Sequence, residues 1–469
     1  MPPTTRIFCG RNVLLPDNPQ PVPATVEVDL RSGKIISISP SALSKDSYPD
    51  IAVEDFIDAG DYIIIPGLVD AHVHLNEPGR TESEGFWTGT RAAASGGITT
   101  VVDMPLDSIP PTTTIENLEI KRSAARDQCW TDVAFWGGVI PGNQVHLKPL
   151  AQAGVKGFKC FLIESGVDEF PCVQEQDLVK AIGALEGTPT VLSFHAELDN
   201  SPSSTTPSES KDPTLYSTFL ESRPESFEVD ALLLVLNRIP SSPTLRKHIV
   251  HLSAASSIPY IRNYKQSQSK SPPNRRSTLT VETCFHYLCL TSDTIPHGHP
   301  QFKCCPPIRS EANRNFLWEA LLDGTIDMVV SDHSPCVAEL KKLDEGDIMS
   351  AWGGISTLGL GLSLLWTEGK KRGVVLSDIV SWCCESTAKH AGLEERKGKI
   401  EIGMDADLVI WDPEETFTVT KEALNFKNKV SPYEGLTLTG VVKKTFLGGR
   451  LVYQDGMGFD GLSPAGKLL

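Results

Sequence analysis

The most informative part of the sequence is the stretch Pro66-Gly67-Leu68-Val69-Asp70-Ala71-His72-Val73-His74. An apolar run from Tyr62 to Val69 leads into two histidines that are one residue apart. If this run is a β-strand, alternation places His72 and His74 on the same face, with both imidazoles directed at one point. Two converging neutral imidazoles suit a divalent transition metal. A lone His-x-His more often marks hydrogen-bonded polar histidines at a strand end, so the rest of the chain decides between the two interpretations.

Four further apolar runs each end in a residue that can bind a metal. These residues are Lys159, His195, His251 and Asp332. The run that ends at His251 also contains His248, but the two are an odd number of residues apart and cannot share a strand face. His251 lies nearer the carboxyl end and is the predicted ligand. The recurrence favours a metal site over hydrogen-bonded histidines.

The last of these runs, Met328-Val329-Val330-Ser331-Asp332-His333, closes its strand with an aspartate. A single aspartate at such a position is usually a cap or turn residue. As the sixth member of a ligand set, Asp332 is instead predicted to bind metal and to accept a proton. His333 points the other way by alternation, and we expect it to be structural or to support the ligands.

Lys159 stands inside an otherwise apolar strand, Gly157–Leu162. Lysine is almost never fully buried without a partner. One explanation is a buried ion pair. The other is that CO₂ has added to the amine, which gives a carbamate anion whose two oxygens bridge two metals. Two nearby dications would stabilise that anion strongly, so the carbamate is favoured beside the other ligands.

Strand-like and helix-like segments alternate through the middle of the chain. The predicted strands are Leu68–Leu75, Thr99–Met104, Asp132–Gly138, Val155–Leu162, Thr190–Glu197, Arg246–Ser253, Leu279–Leu288 and Thr325–Ser331. The predicted helices include Glu84–Ser95, Thr114–Arg126, Glu175–Leu185, Glu225–Arg238 and Glu311–Leu322. Eight βα units predict an α/β fold, a (β/α)₈ TIM barrel with its active site at the carboxyl ends of the strands. A doubly wound sheet would alternate similarly, but no Gly-x-Gly-x-x-Gly turn follows the first strand.

Both ends of the chain read as short β-strands. Examples are Thr25–Leu30 and Lys34–Ile38 near the start, and Asp407–Trp411, Gly440–Thr445 and Gly449–Tyr453 near the end. We therefore predict a small β-sandwich domain built from residues 1–62 and 397–469, with the metal-binding barrel formed by the residues between them, 63–396. Two segments rich in Ser, Pro, Thr and charge, 200–213 and 266–276, are predicted to be surface loops.

The composition is that of an ordinary globular protein, with 469 residues, 40% hydrophobic and 22% charged. The formal net charge of −16 argues against a nucleic-acid partner. Eleven cysteines without a Cys-x-x-Cys pair or a regular framework indicate reduced thiols. No signal region or membrane-spanning run is recognisable, so we predict a cytoplasmic protein without a membrane partner.

Six motifs carry a family resemblance: Pro66–Arg80, Asp103–Leu106, Lys159–Leu162, Ser331–Pro335, Ala351–Ile355 and the closing strand Gly403–Asp412. Together they resemble the amidohydrolase superfamily, within it the hydantoinase-like cyclic amidohydrolases, and among these the allantoinase family. The match extends from the early β segment to Pro413, which is essentially end to end.

The resemblance implies two divalent metal ions per chain. His72, His74, Lys159 and Asp332 would hold one, and the carbamate of Lys159 with His195 and His251 would hold the other. The mixed nitrogen and oxygen ligands suit zinc but also accept cobalt, nickel or manganese. A hydroxide bridging the metals would open the hydantoin ring of allantoin to allantoate, while Asp332 moves the proton. The family also implies a homo-oligomer, with a tetramer favoured.

Three alternatives differ from this interpretation at identifiable positions. Dihydroorotase-like relatives usually carry an arginine for the substrate carboxylate two residues after the second histidine, where this chain has Asn76. Dihydropyrimidinases usually place a tyrosine shortly after the carbamylated lysine, where this chain has Ile163-Glu164-Ser165. Non-catalytic scaffold relatives lack part of the ligand set, whereas this chain keeps all six.

The same positions predict the substrate pocket. Asn76, Ser334 and Gly353 of the Trp352-Gly353-Gly354 loop suggest a pocket for a small, polar, uncharged ureide. A turn-capping role for the Ser334 hydroxyl is nearly as common. By analogy with relatives of this fold, backbone groups around Cys305 are expected to bind the imide edge of the ring.

Overall fold

A computed structural model describes residues 4–16, 18–200, 211–240, 242, 244–270 and 278–469. The described strands are β1 Thr5–Val13, β2 Val22–Asp29, β3 Lys34–Ser39, β4 Phe56–Asp58, β5 Ile63–Pro66, β6 Leu68–Val73, β7 Ile98–Asp103, β8 Asp132–Phe135, β9 Gly137–Gly138, β10 Phe158–Phe161, β11 Thr190–His195, β12 Leu245–Ile249, β13 Leu279–Cys284, β14 Met328–Val330, β15 Leu408–Thr418, β16 Thr437–Leu447 and β17 Arg450–Gln454. The described α-helices are α1 Phe86–Ser95, α2 Ile115–Ala125, α3 Gln144–Gln152, α4 Glu175–Ala184, α5 Tyr216–Ser222, α6 Glu225–Asn237, α7 Ile258–Ser269, α8 Phe285–Cys289, α9 Glu311–Leu322, α10 Gly361–Lys370, α11 Leu376–Val380 and α12 Ser386–His390.

Strands from both ends of the chain form one mixed sheet, as the sequence predicts. Its order is β17-β16-β15-β5-β1-β2-β3, with β4 beside β1. β15 runs antiparallel to β5 and pairs Leu408 with Pro66. Phe8 and Phe446 are fully buried here and their rings meet edge to face, with centroids 4.8 Å apart. Gly67 alone separates β5 of this sheet from β6 of the barrel. The domain limits at residues 62 and 397 stay a prediction.

The middle strands form the barrel. β6, β7 and β8 pair in parallel, and β9 to β14 form a second parallel series. Trp136 separates β8 from β9, but its N–H donates to Asp103 O and the next N–H, of Gly137, donates to Gly157 O, so β8 and β9 continue one barrel strand. The barrel closes where Val73 pairs in parallel with His333. These contacts confirm the (β/α)₈ architecture with a second sheet built from both termini.

At two places a segment predicted as strand or loop is a helix instead. The predicted strand Leu279–Leu288 ends at Cys284, and α8 follows at once. A continuous apolar run does not distinguish a buried strand from a buried helix by periodicity alone. Gln266–Ser269, predicted as loop, are the last turn of α7, which Ile258 and Ile261 anchor by burial. Most of both predicted loops, residues 201–210 and 271–277, lies outside the described residues.

All eleven cysteines are free thiols, in agreement with the composition. Across the described ranges, none of the helices combines the length and the apolar character that crossing a bilayer requires.

Candidate metal centre

The six predicted ligands line one cavity at the carboxyl ends of the barrel strands. The cavity has a volume of about 450 Å³, and its lining includes His72, His74, Lys159, His195, His251 and Asp332. His72 and Lys159 lie within β6 and β10, and His195 ends β11. His74, His251 and Asp332 follow the ends of β6, β12 and β14 by one or two residues. His251 and Asp332 follow their strands with φ angles of 39° and 44°. Positive φ is uncommon for residues other than glycine, and such residues cluster at functional sites.

The ligands from the first and last barrel strands lie closest together. His72 Nε2 is 3.2 Å from Asp332 Oδ1, and His74 Nε2 is 3.5 Å from the same oxygen. One ligand atom from each of these three residues lies within 4.8 Å of the other two. The second group is adjacent, because the ring centroids of His195 and His251 are 4.5 Å apart and those of His72 and His251 are 5.5 Å apart. The predicted strand ends therefore meet at one place.

Lys159 is buried to 1% exposure between these groups. Among the described residues, no carboxylate lies within ion-pair distance of its Nζ, which disfavours the ion-pair explanation. Burial lowers the pKa of Lys159 to about 8. A buried amine with this pKa has a substantial neutral fraction near neutral pH, and the neutral form is the one that adds CO₂.

A carboxylate stands behind three of the four histidine ligands. Glu282 Oε1 is 2.5 Å from His72 Nδ1. Asp107 Oδ2 is 2.8 Å from His74 Nδ1. Glu197 Oε2 is 2.7 Å from His195 Nε2. Such carboxylates fix the tautomer and ring orientation of a metal-binding histidine and leave its other nitrogen free for the metal.

Among the described residues, two buried ring nitrogens of the cavity make no hydrogen bond: His251 Nδ1, and His72 Nε2 although Asp332 Oδ1 lies 3.2 Å away. His74 Nδ1 also makes none of good geometry, although Asp107 Oδ2 lies 2.8 Å from it. Buried polar atoms are nearly always paired, so two unpaired nitrogens in one cavity need an explanation. Transition-metal ions in the cavity would accept these lone pairs. The nitrogen and carboxylate donors present therefore fit a metal site.

The electrostatics of the cavity also favour a cation. Burial lowers the pKa of His195 to about 4 and that of His251 well below its usual value, so both rings are neutral. Burial raises the pKa of Asp332, but His72 and His74 lower it more, to about 2. Burial lowers the pKa of His74, yet Asp107 and Asp332 raise it more, to about 9. The two carboxylates thus attract positive charge to this point, whether a proton or a metal.

His333 and His248, the neighbours of predicted ligands, have other partners. His333 Nδ1 accepts the N–H groups of Thr357 and Leu358, at 3.2 Å each. The proton is therefore on Nε2, which lies 3.2 Å from Glu84 Oε2. His248 Nε2 lies 3.0 Å from Glu282 Oε2, beneath the cavity. Both histidines support the site from behind.

Three of the four predicted substrate contacts line the cavity: Ser334, Cys305 and Gly353. Asn76 is buried outside the lining, and its Nδ2 donates to Pro335 O at 3.1 Å. Its φ of 61° turns the chain away after the second histidine, and asparagine tolerates this conformation. The structure thus places Asn76 behind the segment that carries Ser334.

Sequence reasoning missed two buried lysines that hold the loop beside Gly353. Lys303 Nζ donates to Met349 O and Ala351 O at 2.7 Å each. Lys341 Nζ donates to Trp352 O at 2.9 Å, to Lys303 O at 3.0 Å and to Gly354 O. Neither lysine stands in an apolar strand, so no pattern in the sequence distinguishes them from surface lysines.

The carboxylate partners were also missed, although two of them left a signal. Glu282 is a charged residue inside the apolar strand β13, which is the same anomaly that singled out Lys159. Glu197 lies two residues after His195, on the same face if the strand continues. Asp107 comes from a loop after β7, and nothing in the sequence connects it to His74.

Comparison with known proteins identifies the family to which this chain belongs. Residues 63–452 match the amidohydrolase family, and the chain belongs to that family. Within it, the chain is similar to the allantoinase of Saccharomyces cerevisiae, with 47% identity over 95% of each chain. It is also similar to the allantoinase of Streptomyces avermitilis, with 48% identity over 88% of each. Among solved structures, L-hydantoinase from Arthrobacter aurescens aligns over 98% of this chain and 99% of its own, at a TM-score of 0.84 and 26% identity.

Proposed function

We propose that this chain hydrolyses allantoin, opening its hydantoin ring to give allantoate. The observation that carries the proposal is the convergence of all six ligands in one cavity of a chain that aligns with allantoinases over nearly its whole length. The reaction adds water across a cyclic amide bond and needs no organic cofactor.

The cavity would hold two divalent metal ions, zinc being the ion we propose. His72, His74, Lys159 and Asp332 would bind one, and Lys159, His195 and His251 the other. Lys159 would bridge the two as a carbamate, formed when its neutral amine attacks CO₂ and releases a proton. When bound, two such ions lower the pKa of a water between them and supply a nucleophile at neutral pH.

Asp332 is the proposed proton carrier. Its pKa of about 2 keeps it ionised at neutral pH, so it can accept the proton of the attacking water. It then delivers that proton to the departing ring nitrogen. A ring nitrogen flanked by two carbonyls leaves readily because its negative charge is delocalised.

The proposed substrate contacts suit a neutral ureide. The Ser334 hydroxyl and the backbone near Cys305 and Gly353 offer hydrogen-bonding groups on the cavity wall. Asn76 would act by holding Pro335, and so the position of Ser334. Arg223 also lines the cavity, but it is paired with Glu197, so its charge is partly neutralised.

The dihydropyrimidinase alternative is weaker at this wall. Glu164, Ser165 and Gly166 line the cavity after the strand of Lys159, where that alternative requires a tyrosine. A scaffold without catalysis is disfavoured because the donor set is complete.

The test is a panel of cyclic ureides and imides assayed with the purified protein, together with elemental analysis of its metal. We expect rapid turnover of allantoin, two metals per chain, and dihydroorotate as a very poor substrate because its carboxylate would be buried without a partner. Comparable specificity constants for allantoin and dihydroorotate would contradict the proposal. The cytoplasmic location and the tetramer stay predictions from the sequence and its resemblance.

A further inference from the structure

Glu282 contacts residues of both proposed metal subsites from inside the barrel. Its Oε1 is 2.5 Å from His72 Nδ1 and accepts the backbone N–H of His251 at 3.2 Å. Its Oε2 is 3.0 Å from Nε2 of His248. The side chain is 1% exposed, so these protein groups, and not bulk water, solvate the carboxylate.

The other carboxylates behind the ligands each serve one subsite. Asp107 contacts the ring of His74, a ligand of the first metal. Glu197 contacts the ring of His195, a ligand of the second metal, and also pairs with Arg223. Glu282 therefore differs from them in joining a ligand of the first metal to a ligand of the second.

Oε1 of Glu282 contacts the side chain of one ligand and the backbone of the other. At His72, the carboxylate keeps the proton on Nδ1 and leaves the lone pair of the unpartnered Nε2 directed into the cavity. At His251, it holds the main chain, whose φ of 39° is unfavourable for a residue with a side chain. The direction of the His251 imidazole depends on that strained conformation.

His248 holds the carboxylate from the opposite side. Its Nδ1 is 2.8 Å from Thr280 Oγ1, on the same strand as Glu282. Its ring packs against His390, with centroids 3.8 Å apart. With both ring nitrogens engaged, His248 has one orientation, and Oε2 of Glu282 is fixed by it.

We propose that Glu282 is a positioning residue that couples the two metal subsites, so that removing its carboxylate weakens the binding of both metals together. The inference rests on the proposed binuclear centre. Partners behind metal ligands are typically worth ~10–100-fold in metal affinity. The distinguishing expectation is that this loss occurs at both subsites.

The experiment measures zinc binding, not turnover. Metal-loaded protein is titrated with a chelator, and the two zinc dissociation constants are determined for the unmodified chain, Glu282→Met and Glu282→Gln. Methionine keeps most of the volume and removes the acceptor, so we expect both constants to rise by ~10–100-fold. Glutamine keeps one acceptor oxygen and should restore part of the affinity at both sites.

Two matched controls separate coupling from general damage. Asp107→Asn and Glu197→Gln each change the carboxylate behind one ligand, so each should raise one of the two constants. Far-ultraviolet circular dichroism confirms folding, and Glu282→Gln carries the test if Glu282→Met does not fold.

The outcomes are distinct. If the Glu282 variants lose only one metal while the other constant stays within twofold of the unmodified value, the coupling is wrong and the binuclear centre stands. If they keep both metals, Glu282 is structural and the coupling is equally wrong. If the unmodified chain itself binds fewer than two metals, the proposed centre fails and the coupling fails with it.

Discussion

The backbone N–H of His74 donates a hydrogen bond to the carbonyl oxygen of His333, at 2.8 Å. This bond joins the segment after the first barrel strand to the segment after the last. It brings His72 and His74, from one end of the barrel sequence, next to Asp332, from the other. The residues proposed to hold the first metal therefore meet only when the barrel is closed.

Removing the metal is expected to lower stability for this reason. A ligand that binds only the folded chain stabilises it, by ~2.7 kcal/mol at a free concentration 100 times its Kd. Chelator-treated protein should unfold at a lower temperature than loaded protein in a calorimetric scan, and added zinc should restore the midpoint. Equal midpoints for loaded and stripped protein would mean that the ligands do not bind metal in the folded state.

Lys159→Ala is expected to abolish allantoin hydrolysis and to reduce the metal content towards one ion per chain. The lysine is fully buried without an ion-pair partner among the described residues, so its loss removes the proposed bridge without breaking an ion pair. A short carboxylic acid in solution should restore part of the activity by filling the vacant position. Near-normal turnover with two metals would show that no bridging carbamate is needed.

Asp332→Asn is expected to separate catalysis from metal binding. Asparagine keeps a ligand oxygen but cannot accept the proton, and general acid–base groups typically contribute ~10²–10⁴-fold to the rate. Turnover should therefore fall by at least this range while much of the metal remains, as measured by steady-state kinetics and elemental analysis. A variant that kept the acid limb of the unmodified pH–rate profile would argue against Asp332 as the proton carrier.

The convergence of the six proposed ligands could be predicted because each of them ends or interrupts an apolar strand. Parallel strands of a barrel present their carboxyl ends at one face, so strand-end residues such as His195 and His251 meet there. Lys159 and Glu282 carry the same signal, which is a charged side chain within an apolar strand. Only Lys159 was predicted from it to be a functional residue.

The supporting groups outside the strands could not be predicted, because their partners are set by loop conformation. The direction of the Asn76 amide towards Pro335 depends on a positive φ that no pattern reports. Lys341 ends a short 3₁₀ helix, Ala338–Lys341, and resembles any surface lysine until the chain folds around it. Helix α8 was missed because an apolar run reads equally well as strand or helix.

Lys397→Met is expected to destabilise the fold strongly. Lys397 Nζ lies 2.6 Å from Asp132 of the barrel and 2.7 Å from Asp407 beside the small sheet, with its side chain 1% exposed. Removing one partner of a buried ion pair costs ~3–5 kcal/mol because the carboxylates stay buried without it. Urea unfolding should detect this loss in the free energy of unfolding.

An exposed pair between the same two units provides the control for Lys397. Lys370 contacts Glu414 at 2.8 Å in solvent, so Lys370→Met should change the free energy of unfolding by less than ~1 kcal/mol. If the two variants lost equal stability, burial of the Lys397 cluster would not be the cause.

Acid should reduce the difference between the unmodified chain and Lys397→Met. Burial raises the pKa of Asp405, but Lys397, together with Lys34 and Arg396, lowers it more, from 3.8 to about 2. A carboxyl group with a depressed folded pKa contributes stability above its unfolded pKa and loses it as the pH falls through the folded value. The stability difference should therefore shrink between pH 4 and pH 2, and a constant difference would show that Asp405 is not involved.

Lys341→Met is expected to raise the KM for allantoin about tenfold, which corresponds to ~1.4 kcal/mol, with a smaller change in kcat. Lys341 holds the carbonyls of Trp352 and Gly354 on either side of Gly353, which lines the cavity, but it does not itself line the cavity. Hydrogen bonds from a charged donor are worth ~1.5–3 kcal/mol each, so their loss frees the loop.

Burial lowers the pKa of Lys341 to about 8, and above that pH the neutral amine has one N–H fewer to donate. The KM of the unmodified chain should therefore rise above pH 8, whereas that of Lys341→Met should lack this limb. Lys180→Met, on the exposed face of α4, is the control and should leave both constants unchanged. A fall in kcat with an unchanged KM would show that Lys341 affects the reacting groups and not the loop.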